Sequence, residues 1–421
     1  MAKRPRNVDK GENKQPPRKI MKQDAVKRNG GSPKPSDGWP TVDFSQLLHS
    51  DTIRKILTTG NWDFLRSEAS KLYPSTQRIP CSIDLTRFAT GRQNVVLEVA
   101  FADGTYWVVR VPLTEDVETQ MLSEVATMKL VLQKTSIPVP SVFGFDHRKG
   151  NPFGFPYMFM SALSGRTLDG KFALSIPEQH KAKVASQLAR YWYELSQITF
   201  DRIGRIWSEP GADDYQIISL PSYGVRNRQP GFYGIGPFRT SCAYLSGIRR
   251  GMDDMLRAQH QDAWPQWQRP CRALRDAIPL LSRALQHQRG PFPLSHPDLH
   301  YGNIMVDDNF NVTGIIDWTN AHTAPVEAFA TLDELMIPRC ASKDLKEAIA
   351  HFRDLFTHAL KNLESTQSGA TCLALSGLFE SSTLTVVHRW LLATQIVPHS
   401  LQAAMVYANS VLQVLYGDGI T

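Results

Sequence analysis

The sequence predicts an α+β chain of two unequal units, a small β-rich one followed by a large, mainly helical one. Three observations carry the prediction. Apolar runs of strand length lie between residues 95 and 111 on either side of Asp103-Gly104, a hairpin dipeptide. The apolar period becomes helical from Val117 and, after one more strand at 157–160, stays helical through most of the chain. The formal charge of +7 arises entirely in residues 1–37, which hold eleven basic and four acidic side chains. The rest of the 421 residues is therefore formally neutral. A neutral body disfavours general polyanion binding, so no nucleic acid is expected on the folded part.

Each element follows from its residues. Residues 1–37 are rich in Lys, Arg, Pro, Asn and Gly and hold almost no large apolar group. They cannot offset their ordering entropy and are expected to form a disordered basic tail. Lys3-Arg4-Pro5-Arg6 leaves a nuclear address open beside the reading of a solvated tail, whose partner the sequence does not name. Order is expected from near Trp39, with Phe44, Leu47, Leu48, Ile53, Ile56 and Leu57 on helices within 43–73.

Val95–Phe101 and Tyr106–Val111 read as the two strands of a hairpin, which Pro112 ends. Val117, Met121, Val125, Met128 and Leu132 recur at spacings of four and three, one face of a helix. Pro138 and Pro140 close that stretch, and Tyr157–Met160 is a strand leading to a turn at Ser164-Gly165. Val184, Leu188, Tyr191 or Trp192, and Leu195 give a long helix starting near Glu178. Residues 204–240 read as irregular and 243–289 as helical, and strands at 303–306 and 312–316 flank a polar turn.

The expected division is a tail at 1–37, a β-rich unit with a helical extension at 38–160, and a helical unit at 161–421. One connecting segment between two units makes a cleft, a common place for a small ligand. The chain has no apolar run of membrane-spanning length and no signal-like N-terminus. Five scattered Cys without a CxxC read as reduced thiols. Together these point to an intracellular protein, cytoplasmic unless the tail directs it to the nucleus.

The chemistry concentrates in residues 295–318. Asp298 is followed by Asn303 five residues later and by Asp317 at the end of an apolar strand. These types suit phosphoryl transfer. Mg²⁺ is a hard cation that wants oxygen ligands, which Asp317 and Asn303 supply, and Asp298 can accept the proton of an attacking hydroxyl. His296 and His300 are four apart, but Pro297 between them denies the helical face that a zinc pair needs.

The pattern His296-x-Asp298-x-x-x-x-Asn303, then Ile315-Ile316-Asp317-Trp318, resembles the aminoglycoside phosphotransferase and choline-kinase-like family of the protein-kinase-like fold, above all its fungal subset. The resemblance covers roughly residues 80–345. It implies a bilobal fold and an ATP- and Mg²⁺-dependent phosphotransferase acting on a hydroxyl of a small molecule. It also implies that Arg110 takes the place of the phosphate-binding lysine, with Glu124 as its partner. Gly91-Arg92-Gln93-Asn94 would be the nucleotide-covering loop, and the backbone near Ser161 and Leu163 would meet adenine. Arginine at 110 keeps the charge but changes the geometry, which keeps a second reading in view: a non-catalytic nucleotide-binding scaffold or sensor. Neither Asp-Phe-Gly nor Ala-Pro-Glu is present, so a protein-kinase activation segment is unsupported.

Overall fold

The computed structural model describes residues 34–39, 50–114, 117–168, 172–209, 211–221, 234–285, 287–332, 335–336, 341–366, 374–396 and 400–416. The tail through residue 33, Phe44, Leu47, Leu48, Asp333 and Glu334 lie outside the described residues.

The first described element precedes Trp39, a 3₁₀ turn at Pro35–Gly38. Ser36 is buried there: its N–H donates to Glu98 Oε2 at 2.9 Å, and its carbonyl accepts from Arg87 at 2.9 Å. The last residues of the expected tail are thus docked, a contact between segments far apart in sequence that composition does not encode. Helices α1 (Ser50–Thr59) and α2 (Trp62–Leu72) follow. Asn61 caps α2 by accepting the Phe64 N–H at 3.1 Å.

A five-stranded antiparallel sheet is ordered β1-β2-β3-β5-β4, from β1 (Cys81–Thr90), β2 (Asn94–Phe101), β3 (Tyr106–Pro112), β4 (Val142–Asp146) and β5 (Tyr157–Ser161). Helix α3 (Glu118–Lys134) runs between β3 and β4. The expected hairpin closes through Gly104 at φ +80°, with Asp103 accepting the Thr105 N–H at 3.0 Å. Strands β1 and β4 were not among the expected elements. A bulge between Ile83 and Phe88 breaks the alternation of β1. In β4, Gly144 replaces an expected branched residue because Leu72 of α2 packs there: a Cβ would lie 2.5 Å from its Cδ1.

The α1–α2 extension packs on the sheet, with Ile53, Ile56, Leu65 and Ala69 in one cluster with Val95, Leu97, Val109 and Val111. Helix α3 goes elsewhere. Met121, Val125, Met128 and Val131 are buried in the large core that the helical unit builds. Lys129 of α3 donates to the Ala212 carbonyl at 2.7 Å and pairs with Asp213 at 2.8 Å, and Ser136 donates its N–H to Glu194 at 2.7 Å.

The helical unit contains β6 (Arg166–Thr167), α4 (Phe172–Ser175), α5 (Glu178–Ser196), β7 (Thr199–Phe200), β8 (Arg205–Trp207) and β9 (Gln216–Ile218). Next come α6 (Ser241–Gln259), α7 (Trp264–Asp276), α8 (Ile278–Ala284), β10 (Phe292–Ser295), β11 (Ile304–Val306), β12 (Val312–Ile315) and β13 (His322–Thr323). The chain continues through α9 (Val326–Phe329), α10 (Lys343–Thr366), α11 (Leu375–Leu378), α12 (Ser382–Ile396) and α13 (Leu401–Tyr416). Tyr191 and Trp192, which the helical spacing placed on an apolar face, are core residues, as is Trp390. The architecture is the two-lobed α+β one expected, a small sheet lobe and a large helical lobe. No helix among the described residues is long and apolar enough to cross a membrane.

Candidate active site

Strand β10 delivers the chain into a loop from His296 to Asn303. Two side chains anchor it. Leu299 is buried in the main core. His296, 5% exposed, donates Nε2–H to the Ile316 carbonyl at 3.0 Å and packs edge-on to Trp318, ring centroids 4.6 Å apart. Burial pushes the His296 imidazole below its ordinary pKa, so it serves as a neutral fastener between the loop and β12.

Asn303 stands at the end of a 3₁₀ turn just before β11. Its side-chain N–H donates to the Asp298 carbonyl at 2.7 Å, which leaves the amide oxygen as the end able to ligate. Ile304 of β11 pairs with Ile315 of β12, and the Ile316 N–H donates to the Asn303 carbonyl at 3.0 Å. The hairpin therefore brings Asn303 and Asp317 to one end of a two-stranded ribbon, as the spacing implied. Asp317 has a left-handed backbone, φ +61°, a conformation that costs a non-glycine residue energy.

Asp298 keeps an exposed carboxylate. Desolvation within the loop raises its pKa, and the charge of Asp317 adds to this, against the pull of His300 Nε2 at 3.9 Å. His300 Nδ1 accepts the Gly302 N–H at 3.0 Å, which turns its other nitrogen toward Asp298 and Asn303.

On the sheet lobe, Arg110 of β3 and Glu124 of α3 form a bidentate pair, Nη1 to Oε1 at 2.7 Å and Nη2 to Oε2. The two side chains are 8% and 2% exposed, so this is a buried pair and not a surface one. Burial opposes the charge on Arg110, but Glu124 and then Asp317 more than restore it and raise its pKa. Arg110 Nε is buried with no hydrogen-bond partner. Thr319, which the sequence reading did not single out, connects this pair to the ribbon: its hydroxyl lies 2.7 Å from Asp317 Oδ1 and 3.2 Å from Glu124 Oε2. A small pocket beside it is lined by Gln93, Asn94, Arg110, Glu124 and Thr319 among others.

The Gly91–Asn94 turn joins β1 to β2 and edges that pocket through Gln93 and Asn94. A Cβ at Gly91 would meet nothing within 4 Å, so packing does not demand glycine there. In the segment between the lobes, the Ser161 N–H is committed to the Ser141 carbonyl at 2.9 Å. Any backbone contact to an adenine at Ser161 must therefore come from its carbonyl. Leu163 packs over Gly314 of β12, where a Cβ would lie 2.5 Å from Leu163 Cδ1. Asp213 is occupied by Lys129 and Gln133.

The donor set suits a hard cation. Asp317 and Asn303 offer oxygens, and among the described residues no three His, Cys, Asp or Glu side chains group as a metal site. Two protein oxygens leave most of a coordination shell to phosphate and water, which fits Mg²⁺ and does not fit a closed zinc site.

Comparison with known proteins gives the same family. The phosphotransferase enzyme family model matches residues 84–328. The chain is 27% identical over 288 residues to clavilactone A biosynthesis cluster protein Y of Ampulloclitocybe clavipes, covering 63% of this chain and 69% of that one. It is 25% identical over 132 residues to a subtelomeric hrmA-associated cluster protein of Aspergillus fumigatus, covering 31% of this chain and 26% of that protein. Among solved structures, a Ralstonia eutropha protein assigned as an aminoglycoside phosphotransferase shares the fold, with a TM-score of 0.50 at 14% identity over 85% of this chain and 96% of that one. With more than half of its length matched, residues 295–318 included, the chain belongs to the phosphotransferase enzyme family.

Proposed function

We propose that the chain transfers the γ-phosphoryl group of ATP, with Mg²⁺, to a hydroxyl group of a small molecule. The observation that carries the reading is the placement of Asn303 and Asp317 at one ribbon end, on the loop that holds Asp298, with Thr319 linking that end to Arg110 and Glu124.

Asp298 would take the proton of the attacking hydroxyl. Its raised pKa makes it a better proton acceptor than an ordinary aspartate. Asn303 and Asp317 would hold the metal ion, which when bound neutralises charge on the transferring phosphates. Arg110, steadied by Glu124, would orient the phosphates, and Gly91–Asn94 would cover them. The carbonyl of Ser161 and the amide of Leu163 would meet the adenine edge. The acceptor is read no further than a hydroxylated small molecule.

Arg110 favours the second reading, a nucleotide-binding scaffold or sensor, because both terminal nitrogens already grip Glu124. One experiment separates the two. ATP consumption is followed across a panel of hydroxylated metabolites, and nucleotide binding is measured in parallel. The proposal expects turnover with at least one acceptor, and a loss of about 10²–10⁴-fold in Asp298→Ala with nucleotide binding retained. Binding without turnover across a wide panel would leave the scaffold.

A further inference from the structure

Thr319 lies two residues beyond Asp317 and is 7% exposed. A hydroxyl carries one proton, which it can give fully to one acceptor at a time. Two carboxylates stand within reach, Asp317 Oδ1 at 2.7 Å and Glu124 Oε2 at 3.2 Å, and the nearer takes it. Glu124 Oε2 is also the oxygen that Arg110 Nη2 grips. The polar contacts therefore form one unbroken line, Arg110 to Glu124 to Thr319 to Asp317, from β3 across α3 to the end of the β11–β12 ribbon. A valine would fill the same space, so shape alone does not require the hydroxyl.

We propose that Thr319 is a positioning residue whose single proton couples the cation-binding carboxylate of Asp317 to the Arg110–Glu124 pair. While Asp317 accepts that proton, Glu124 depends on Arg110 alone and holds both of its terminal nitrogens. When Asp317 is engaged by a cation, the carboxylate has less need of the proton, and the hydroxyl turns to Glu124 Oε2. That oxygen then has a second donor, its hold on Arg110 Nη2 weakens, and the guanidinium is released toward phosphate. The buried, unpartnered Nε marks Arg110 as a group whose donors are not all satisfied by the protein. This inference rests on reading the site as a cation and nucleotide site.

Calorimetric titration tests it. AMP-PNP is titrated into the full chain, Thr319→Val and Thr319→Ser, each with and without Mg²⁺. The wild-type chain should bind more tightly when Mg²⁺ is present. In Thr319→Val that gain should shrink about tenfold, the scale of a hydrogen bond to a charged group. Its affinity should fall less without Mg²⁺ than with it, because the hydroxyl acts through the coupling. Thr319→Ser, which restores the hydroxyl, should restore the gain. An undiminished gain in Thr319→Val overturns the inference and leaves the phosphotransferase reading standing. So does an equal loss with and without Mg²⁺, the mark of a merely structural threonine. If the wild-type chain binds no nucleotide, the reading of the site falls and takes the inference with it. Should Thr319→Val not fold, Thr319→Ala read against Thr319→Ser makes the same comparison.

Discussion

At residue 110 a guanidinium sits where the family resemblance implies an ammonium, and the two are not equivalent. The fork of Arg110 meets both oxygens of Glu124 out of reach of water. Removing one partner strands the other. We expect Glu124→Ala to lose about 3–5 kcal/mol in urea denaturation, because it leaves a buried cation unpaired. Arg110→Met combined with Glu124→Leu should recover most of that stability and still lack phosphotransfer. If the double variant is no more stable than the single, the pair is not the cause. Residue type and spacing single out Asp298, Asn303 and Asp317 in the sequence: a carboxylate and an amide five apart, and a carboxylate after an apolar strand. Arg110 and Glu124 came only from the family resemblance. Thr319 was legible in neither way. A threonine two positions after a carboxylate signals nothing until the fold brings α3 against it. The bond from Ser36 to Glu98 was illegible for the same reason, since its partners lie 62 residues apart.

Among the elements, two glycines in turns do different work, and the structure separates them. Gly165 has φ +99°, and a Cβ there would lie 2.2 Å from the Val306 carbonyl oxygen. Gly165→Ala should destabilise the chain by at least about 1 kcal/mol, from strain and overlap together. Gly91 has open space around it and no left-handed backbone. Gly91→Ala should leave stability unchanged or raise it by about 0.4–1 kcal/mol. If the loop covers nucleotide, the same variant binds AMP-PNP more weakly, and unchanged affinity would make Gly91 a plain turn residue. The strands with clean alternation or a hairpin dipeptide, β2 and β3, were readable in advance. β1 was not, because its bulge puts its two halves out of phase. β4 was not, because it is five residues long and carries a glycine that serves α2. The helices were readable wherever an apolar face repeats, as in α3 and α5. What the period could not reveal is which core that face joins, and α3 lies between two strands of the sheet in sequence while packing with the helical lobe.

For the molecule as a whole, the basic excess and the folded body are separate matters that meet at Ser36. Deleting residues 1–33 removes the excess charge and should leave phosphotransfer intact. Extending the deletion through residue 37 also removes the N–H that satisfies the buried Glu98 carboxylate. That longer deletion should cost a further 1–3 kcal/mol or about that, measured by urea denaturation of the two truncations side by side. Equal stability of the two would mean that the Ser36 contact contributes nothing. We propose that any effect of the shorter deletion falls on location in the cell, since the site is built entirely from residues after the tail.

The backbone at Asp317 carries a consequence for how such a protein changes over generations. At φ +61° glycine is the residue the main chain prefers, and an aspartate is kept there against that preference. A lineage selected for robustness alone would gain by replacing it, and on the proposed reading would surrender a metal ligand in the same step. If the proposed reaction is real, position 317 is thus where selection for catalysis would leave its mark most plainly: the carboxylate would persist only while something rewards the reaction.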